Sequence, residues 1–154
     1  MKPRVYIETT VISYLTARPT RNALQEGRRQ LTVEWWARRR TAFDVSISPL
    51  VYAEASRGDS KAAQARVEAI KGLPTLPLDD RARLLARALI APGAIPAKAT
   101  DDAAHIAICA VNSIPYLLTW NFKHIANAEI RLKLDYLCSA NGYKLPIICT
   151  PEEL

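Results

Sequence analysis

Glycine is scarce in this chain, five residues in 154, and none forms a G-x-x-x-x-G-K or G-x-G-x-x-G pattern after the first apolar run. Backbone that cradles a phosphate at a helix N-terminus needs such glycines, so a nucleotide cofactor held in that way is not expected. Cysteine is equally sparse: Cys109, Cys138 and Cys149 are unevenly spaced, sit in apolar or helical surroundings and form no C-x-x-C pair. That pattern argues against a disulfide framework and against a zinc site. No apolar stretch approaches the roughly 18 residues of a membrane span. Met1-Lys2-Pro3-Arg4 leads into strand-like sequence rather than an apolar leader, so a cytoplasmic protein with no membrane association is expected. No elbow motif supports Ser-His-Asp or Cys-His chemistry, which leaves a nucleophilic hydrolase a poor second.

What is present is an ordinary globular composition, 49% hydrophobic and 23% charged. A chain of this length buries roughly two-thirds of its unfolded surface, so a single domain over residues 1–154 is expected. Lysine and arginine number 21 against 15 acids, a net charge of +6. Such a surplus favours a polyanionic partner through long-range attraction and counterion release.

Apolar runs of strand character alternate with helical patterns. Residues 4–8, 44–48, 74–78, 116–121 and 145–149 read as strands. Thr9 or Thr10 is positioned to cap a helix over 11–15, and a long helix with a basic end runs from Asn22 to about Arg40. Ser48 followed by Pro49 marks the start of a helix that carries Glu54 and ends at Gly58. Further helices are expected over 60–71, from Asp79 to Ile90, from about Asp101 to Asn112 and from about Asn127 to Ala140. In the 101–112 helix, Ala103, Ile106, Ala107, Ala110 and Val111 make one apolar stripe. Strands alternating with helices imply right-handed crossovers and a parallel sheet covered on both faces, a three-layer α/β domain. If the first strand lies beside the fourth, Glu8 and Asn121 face each other across the switch point.

Acidic residues stand where such a fold forms its crevice. Glu8 closes the run Arg4-Val5-Tyr6-Ile7, Asn121 closes Tyr116 to Trp120, and Glu54 and the Asp101-Asp102 pair lie on helices between them. Carboxylates joined by an amide form the oxygen-donor set a hard divalent cation takes. Each also has a plainer reading. Glu8 can face a helix dipole, Glu54 can pair with Arg57, and Asp101 and Asp102 can cap their helix. His105, three residues after Asp102, reads as a hydrogen-bonded core residue rather than a metal ligand.

Tyr6-Ile7-Glu8-Thr9-Thr10-Val11-Ile12-Ser13-Tyr14-Leu15 resembles the opening motif of PIN-domain proteins, the nuclease family that contains the VapC toxins. Val51-Tyr52-Ala53-Glu54, Asp102-Ala103-Ala104-His105-Ile106-Ala107 and Leu118-Thr119-Trp120-Asn121-Phe122 resemble the second, third and fourth motifs, in order and across nearly the whole chain. The resemblance implies a PIN-like, Rossmann-like sandwich that binds Mg²⁺ or Mn²⁺ and hydrolyses RNA phosphodiester bonds. The implied site is Glu8, Glu54, Asp102 and Asn121, with Glu8, Glu54 and Asp102 as metal ligands and Asp101 as an alternative to Asp102. It further implies the toxin of a type II toxin-antitoxin pair, a homodimer whose cognate antitoxin occludes the site. The family usually has aspartate at the first and fourth places. Glu8 keeps that charge with a longer reach, whereas Asn121 keeps an oxygen and discards a charge. A weakened PIN module acting in RNA binding or protein interaction is therefore the alternative, and a DNA nuclease is a third reading. Arg18, Arg57 and Lys123, with Arg21 and His124, border the motifs and are candidates for the phosphate backbone. Trp120 is weighed between core packing and base stacking, the former preferred.

Overall fold

Residues 1–154 are described by a computed structural model. Four short strands build its sheet: β1 Arg4–Ile7, β2 Asp44–Ser46, β3 Tyr116–Leu118 and β4 Ile147–Cys149. All neighbours are parallel, in the order β2-β1-β3-β4. Val5 pairs with Val45 on one side and Tyr116 on the other, so β1 is central. Successive strand residues point to opposite faces, and Val5, Tyr6 and Ile7 are each fully buried. Both faces of β1 are therefore covered, which is why its sequence runs apolar without alternation.

Seven α-helices connect the strands. α1 (Thr9–Thr16) and α2 (Ala23–Arg38) lie between β1 and β2. α3 (Pro49–Ala55), α4 (Ser60–Ile70), α5 (Asp80–Ile90) and α6 (Thr100–Val111) follow β2, and α7 (Ala128–Ala140) joins β3 to β4. They pack in two groups, α1 against α2, α3 and α4, and α5 against α6 and α7. Local chemistry sets their starts. Asn22, Ser48, Asp79 and Asn127 each accept a backbone N–H of the first turn, and Pro49 occupies the first turn of α3.

Several boundaries depart from the sequence reading. The expected strand over 74–78 reduces to one parallel bridge, Ile47 to Thr75, beside the β2 edge. Pro74 and Pro77 have no N–H to donate, so pairing beyond Leu76 N to Ile47 O stops there. The fourth strand ends at Leu118 rather than Asn121. Glu8, not Thr9 or Thr10, caps α1, accepting from Thr10 N. α3 stops at Ala55, short of Gly58, whose φ of +85° belongs to the following turn. In α6 burial extends past the expected stripe to every residue from Ala103 to Val111. That helix lies between α5 and β3 and has no solvent side over that stretch.

With Thr75 included, the chain crosses the sheet away from β1 through β2 and returns to the other side of β1 at β3. The reversal between β1 and β3 is the switch point of an open α/β sheet. No helix is long and apolar enough to cross a membrane.

Candidate functional site

The carboxyl ends of β1 and β3 are tied together by hydroxyls. Glu8 N continues the ladder to Leu118 O at 3.0 Å. Thr10 Oγ1 donates to Glu8 Oε2 at 2.6 Å and accepts from Trp120 N at 2.9 Å. Thr10 N at 2.8 Å and Thr119 Oγ1 at 3.2 Å also donate to Glu8 Oε2. Glu8 is thus a buried carboxylate with one oxygen saturated, 3% exposed. Burial raises its carboxyl pKa, against the lowering influence of His105 and the Thr10 bonds.

Glu54, in the last turn of α3, is anchored in the same one-sided way. Its Oε1 accepts from Thr9 Oγ1 at 2.7 Å and from His105 Nε2 at 2.6 Å. An ionised carboxylate only accepts, so Nε2 carries the proton. On the far side of the imidazole, Nδ1 meets Tyr6 OH at 2.7 Å, and Tyr6 OH meets Ser48 Oγ at 2.7 Å. Tyr6 and His105 are fully buried, so this chain runs through the core beneath the acids. Burial raises the Glu54 carboxyl, but the His105 hydrogen bond and charge with the Thr9 bond outweigh it and leave it lowered. His105 is raised: burial pulls it down, and the Glu54 bond with the charges of Glu8, Glu54 and Asp102 overcomes that.

Asp102, in the first turn of α6, accepts from Asn121 Nδ2 at 3.0 Å through Oδ1. The other end of that amide is engaged too, Asn121 Oδ1 accepting from His124 N at 3.0 Å. Asn121 therefore holds Asp102 rather than offering a free oxygen. Burial raises the Asp102 carboxyl, against Asn121 and the two histidines.

Glu8 and Asp102 each lie within electrostatic reach of Glu54, and all three acids within reach of the buried His105 imidazole. Each uses one oxygen in hydrogen bonds and leaves the other idle, and none of the idle oxygens is sealed from water. Three carboxylates with idle oxygens on one side suit a hard divalent ion. No three His, Cys, Asp or Glu side chains stand close enough to enclose an ion directly. An ion that keeps several of its waters, as Mg²⁺ does, needs no such closed cage, and on that donor chemistry the residues fit. Five surface hollows of about 270 to 450 Å³ are lined by other residues.

The remaining candidates are spread outward. Asp101 turns to Arg57 at 3.8 Å with both side chains well exposed, so Arg57 pairs with Asp101 and not with Glu54. Arg18 and Lys123 are exposed. Trp120 is 6% exposed and donates Nε1 to Thr32 Oγ1 at 2.8 Å, which makes it core. Tyr6 and Thr119 escaped sequence reasoning, and Thr9 and Thr10 were read only as helix caps rather than as anchors of Glu54 and Glu8. Tyr6 carried a usable signal, since residues two apart on a strand share a face and Tyr6 stands two before Glu8. No protein-family model, curated protein or solved structure matches the chain.

Proposed function

We propose that the protein is a divalent-metal-dependent ribonuclease, built as a PIN-like three-layer sandwich and serving as the toxin of a type II toxin-antitoxin pair. The observation that carries this reading is the trio of carboxylates at the β1–β3 switch point, each fixed through one oxygen with the other idle. Glu8, Glu54 and Asp102 would hold Mg²⁺ or Mn²⁺. Such an ion, when bound, supplies Lewis acidity and offsets the charge that develops on the phosphate. The chain contributes position. Thr10 and Thr119 fix Glu8, Thr9 and His105 fix Glu54, and Asn121 fixes Asp102. Hydrolysis puts a water oxygen on phosphorus and breaks the bond to the leaving sugar oxygen, with no covalent enzyme intermediate. Stabilisation then rests on preorganised charge and orientation. Arg18 and Lys123 are the exposed cations offered to the backbone, and Arg57 joins them by exchanging its weak surface pair with Asp101. Homodimerisation and occlusion by a cognate antitoxin belong to the same reading, as does a cytoplasmic location.

A second reading is favoured by the engagement of both ends of the Asn121 amide. A PIN module with a weakened metal site would keep RNA or protein binding without cutting. Incubating the protein with single-stranded and structured RNA in Mn²⁺, Mg²⁺ or chelator separates the two, with DNA as competitor. The nuclease reading predicts cleavage that chelator abolishes and that Glu54→Gln and Asp102→Asn each reduce by roughly 10²-fold or more with melting behaviour intact. Cleavage indifferent to chelator, or none in either metal, contradicts it.

A further inference from the structure

Immediately after Asn121 the chain presents an aromatic ring to solvent. Phe122 is 43% exposed, in contrast to Trp120, and a tight turn closed by Phe122 N to Trp120 O at 3.0 Å sets the two rings 6.2 Å apart, edge to face. Arg28, from α2, lies over both, its guanidinium carbon 4.8 Å from the Phe122 centroid and 5.6 Å from that of Trp120. Its neighbour Arg29 is bound to Glu26, but Arg28 has no acidic partner. Thr32 ties the Trp120 ring to α2, donating to Arg28 O at 2.7 Å and accepting from Trp120 Nε1 at 2.8 Å. A guanidinium stacked on aromatic faces is held in place while its in-plane N–H donors stay free, the geometry that grips a phosphate. With Arg28 and Trp120 both against it, the Phe122 ring still has 43% of its residue surface exposed, apolar area that a flat partner can cover.

We propose that Phe122 and Arg28 form a nucleotide subsite for single-stranded RNA, the base stacking on the exposed part of the Phe122 ring and an adjoining phosphate meeting Arg28. This rests on the nuclease reading for its substrate and adds where the strand is held: one residue from Asn121, whose amide touches Asp102 at 3.0 Å. Unpaired bases can reach a single ring and paired ones cannot, so the subsite selects single strands. The net charge of +6 and exposed Lys123 suit the polyanion.

The test is binding in chelator, where no cutting intrudes. Labelled oligouridine, an abasic ribose-phosphate strand of equal length and an RNA duplex are titrated against the full chain. Phe122→Ala weakens oligouridine binding roughly 5- to 150-fold, the span of one base–aromatic stack, and leaves the abasic strand unaffected. Phe122→Trp restores it. Arg28→Gln weakens base-bearing and abasic strands alike and flattens the salt dependence. Equal losses for oligouridine and the abasic strand in Phe122→Ala, or unchanged binding of both, would overturn the subsite, the latter leaving the ring to a protein contact. Cleavage without a Phe122 effect sinks the subsite and spares the nuclease reading. Phe122-dependent binding without cleavage in any metal does the reverse.

Discussion

The hydroxyl of Tyr6 has two partners and no access to water, so its removal strands His105 Nδ1 and leaves Ser48 Oγ only its capping bond from Val51 N. Leaving a buried polar group unmet costs about 1–3 kcal/mol. Tyr6→Phe should therefore lower unfolding stability in urea by that amount, whereas an unchanged midpoint would mean water replaces the hydroxyl. The positions of the acids were legible, because Glu8, Glu54 and Asp102 each interrupt apolar or cap-like surroundings and lie at strand or helix ends. Their anchors were not. Whether Glu54 meets Arg57 or His105 depends on how α3 and α6 approach each other, which spacing within either helix does not encode. Asn121 was legible as an oxygen donor, yet the structure spends that oxygen on His124 N, a detail fixed by the turn that follows β3.

Element starts were the most legible feature, since a cap is chemistry among neighbours in the chain: Asn22, Ser48 with Pro49, Asp79 and Asn127 all stand where expected. Elements defined by distant partners were less so. Pro74 to Leu78 has strand-like residues but too few donors to pair, and α6 reads as striped because its burial comes from α5 and β3 together. Within α2, the hydrogen bond from Arg29 holds the Glu26 carboxyl down to about 2. A carboxyl lowered on folding stabilises above its unfolded pKa, and that contribution fades as pH falls toward the folded value. The melting-temperature difference between the native chain and Glu26→Gln should thus be positive near neutrality and shrink to nothing between pH 4.5 and about 2. A difference constant over that range would assign it to helix propensity instead.

At the scale of the molecule, one cluster of 35 buried hydrophobic residues gathers all four strands and encloses the three free cysteines. Burial pushes the Cys138 thiol to about 11 and Cys149 to about 12, and Cys109 well above its ordinary value. Thiolate is the reactive form, so iodoacetamide at mildly alkaline pH should leave the native chain unmodified by mass spectrometry and label all three sites after unfolding. Labelling of the native chain would show that the core opens around them. Alternation alone foretold parallel strands but left their order open; the order that puts β1 beside β3 makes residues about a hundred positions apart neighbours. Whether that neighbourhood grips a divalent ion is most directly measured by Mn²⁺ titration followed by electron paramagnetic resonance. The native chain should bind Mn²⁺, Glu54→Gln and Asp102→Asn should each weaken it by at least about tenfold, and Asn121→Asp should tighten it. No binding, or equal binding by all four proteins, would contradict a metal site at the switch point.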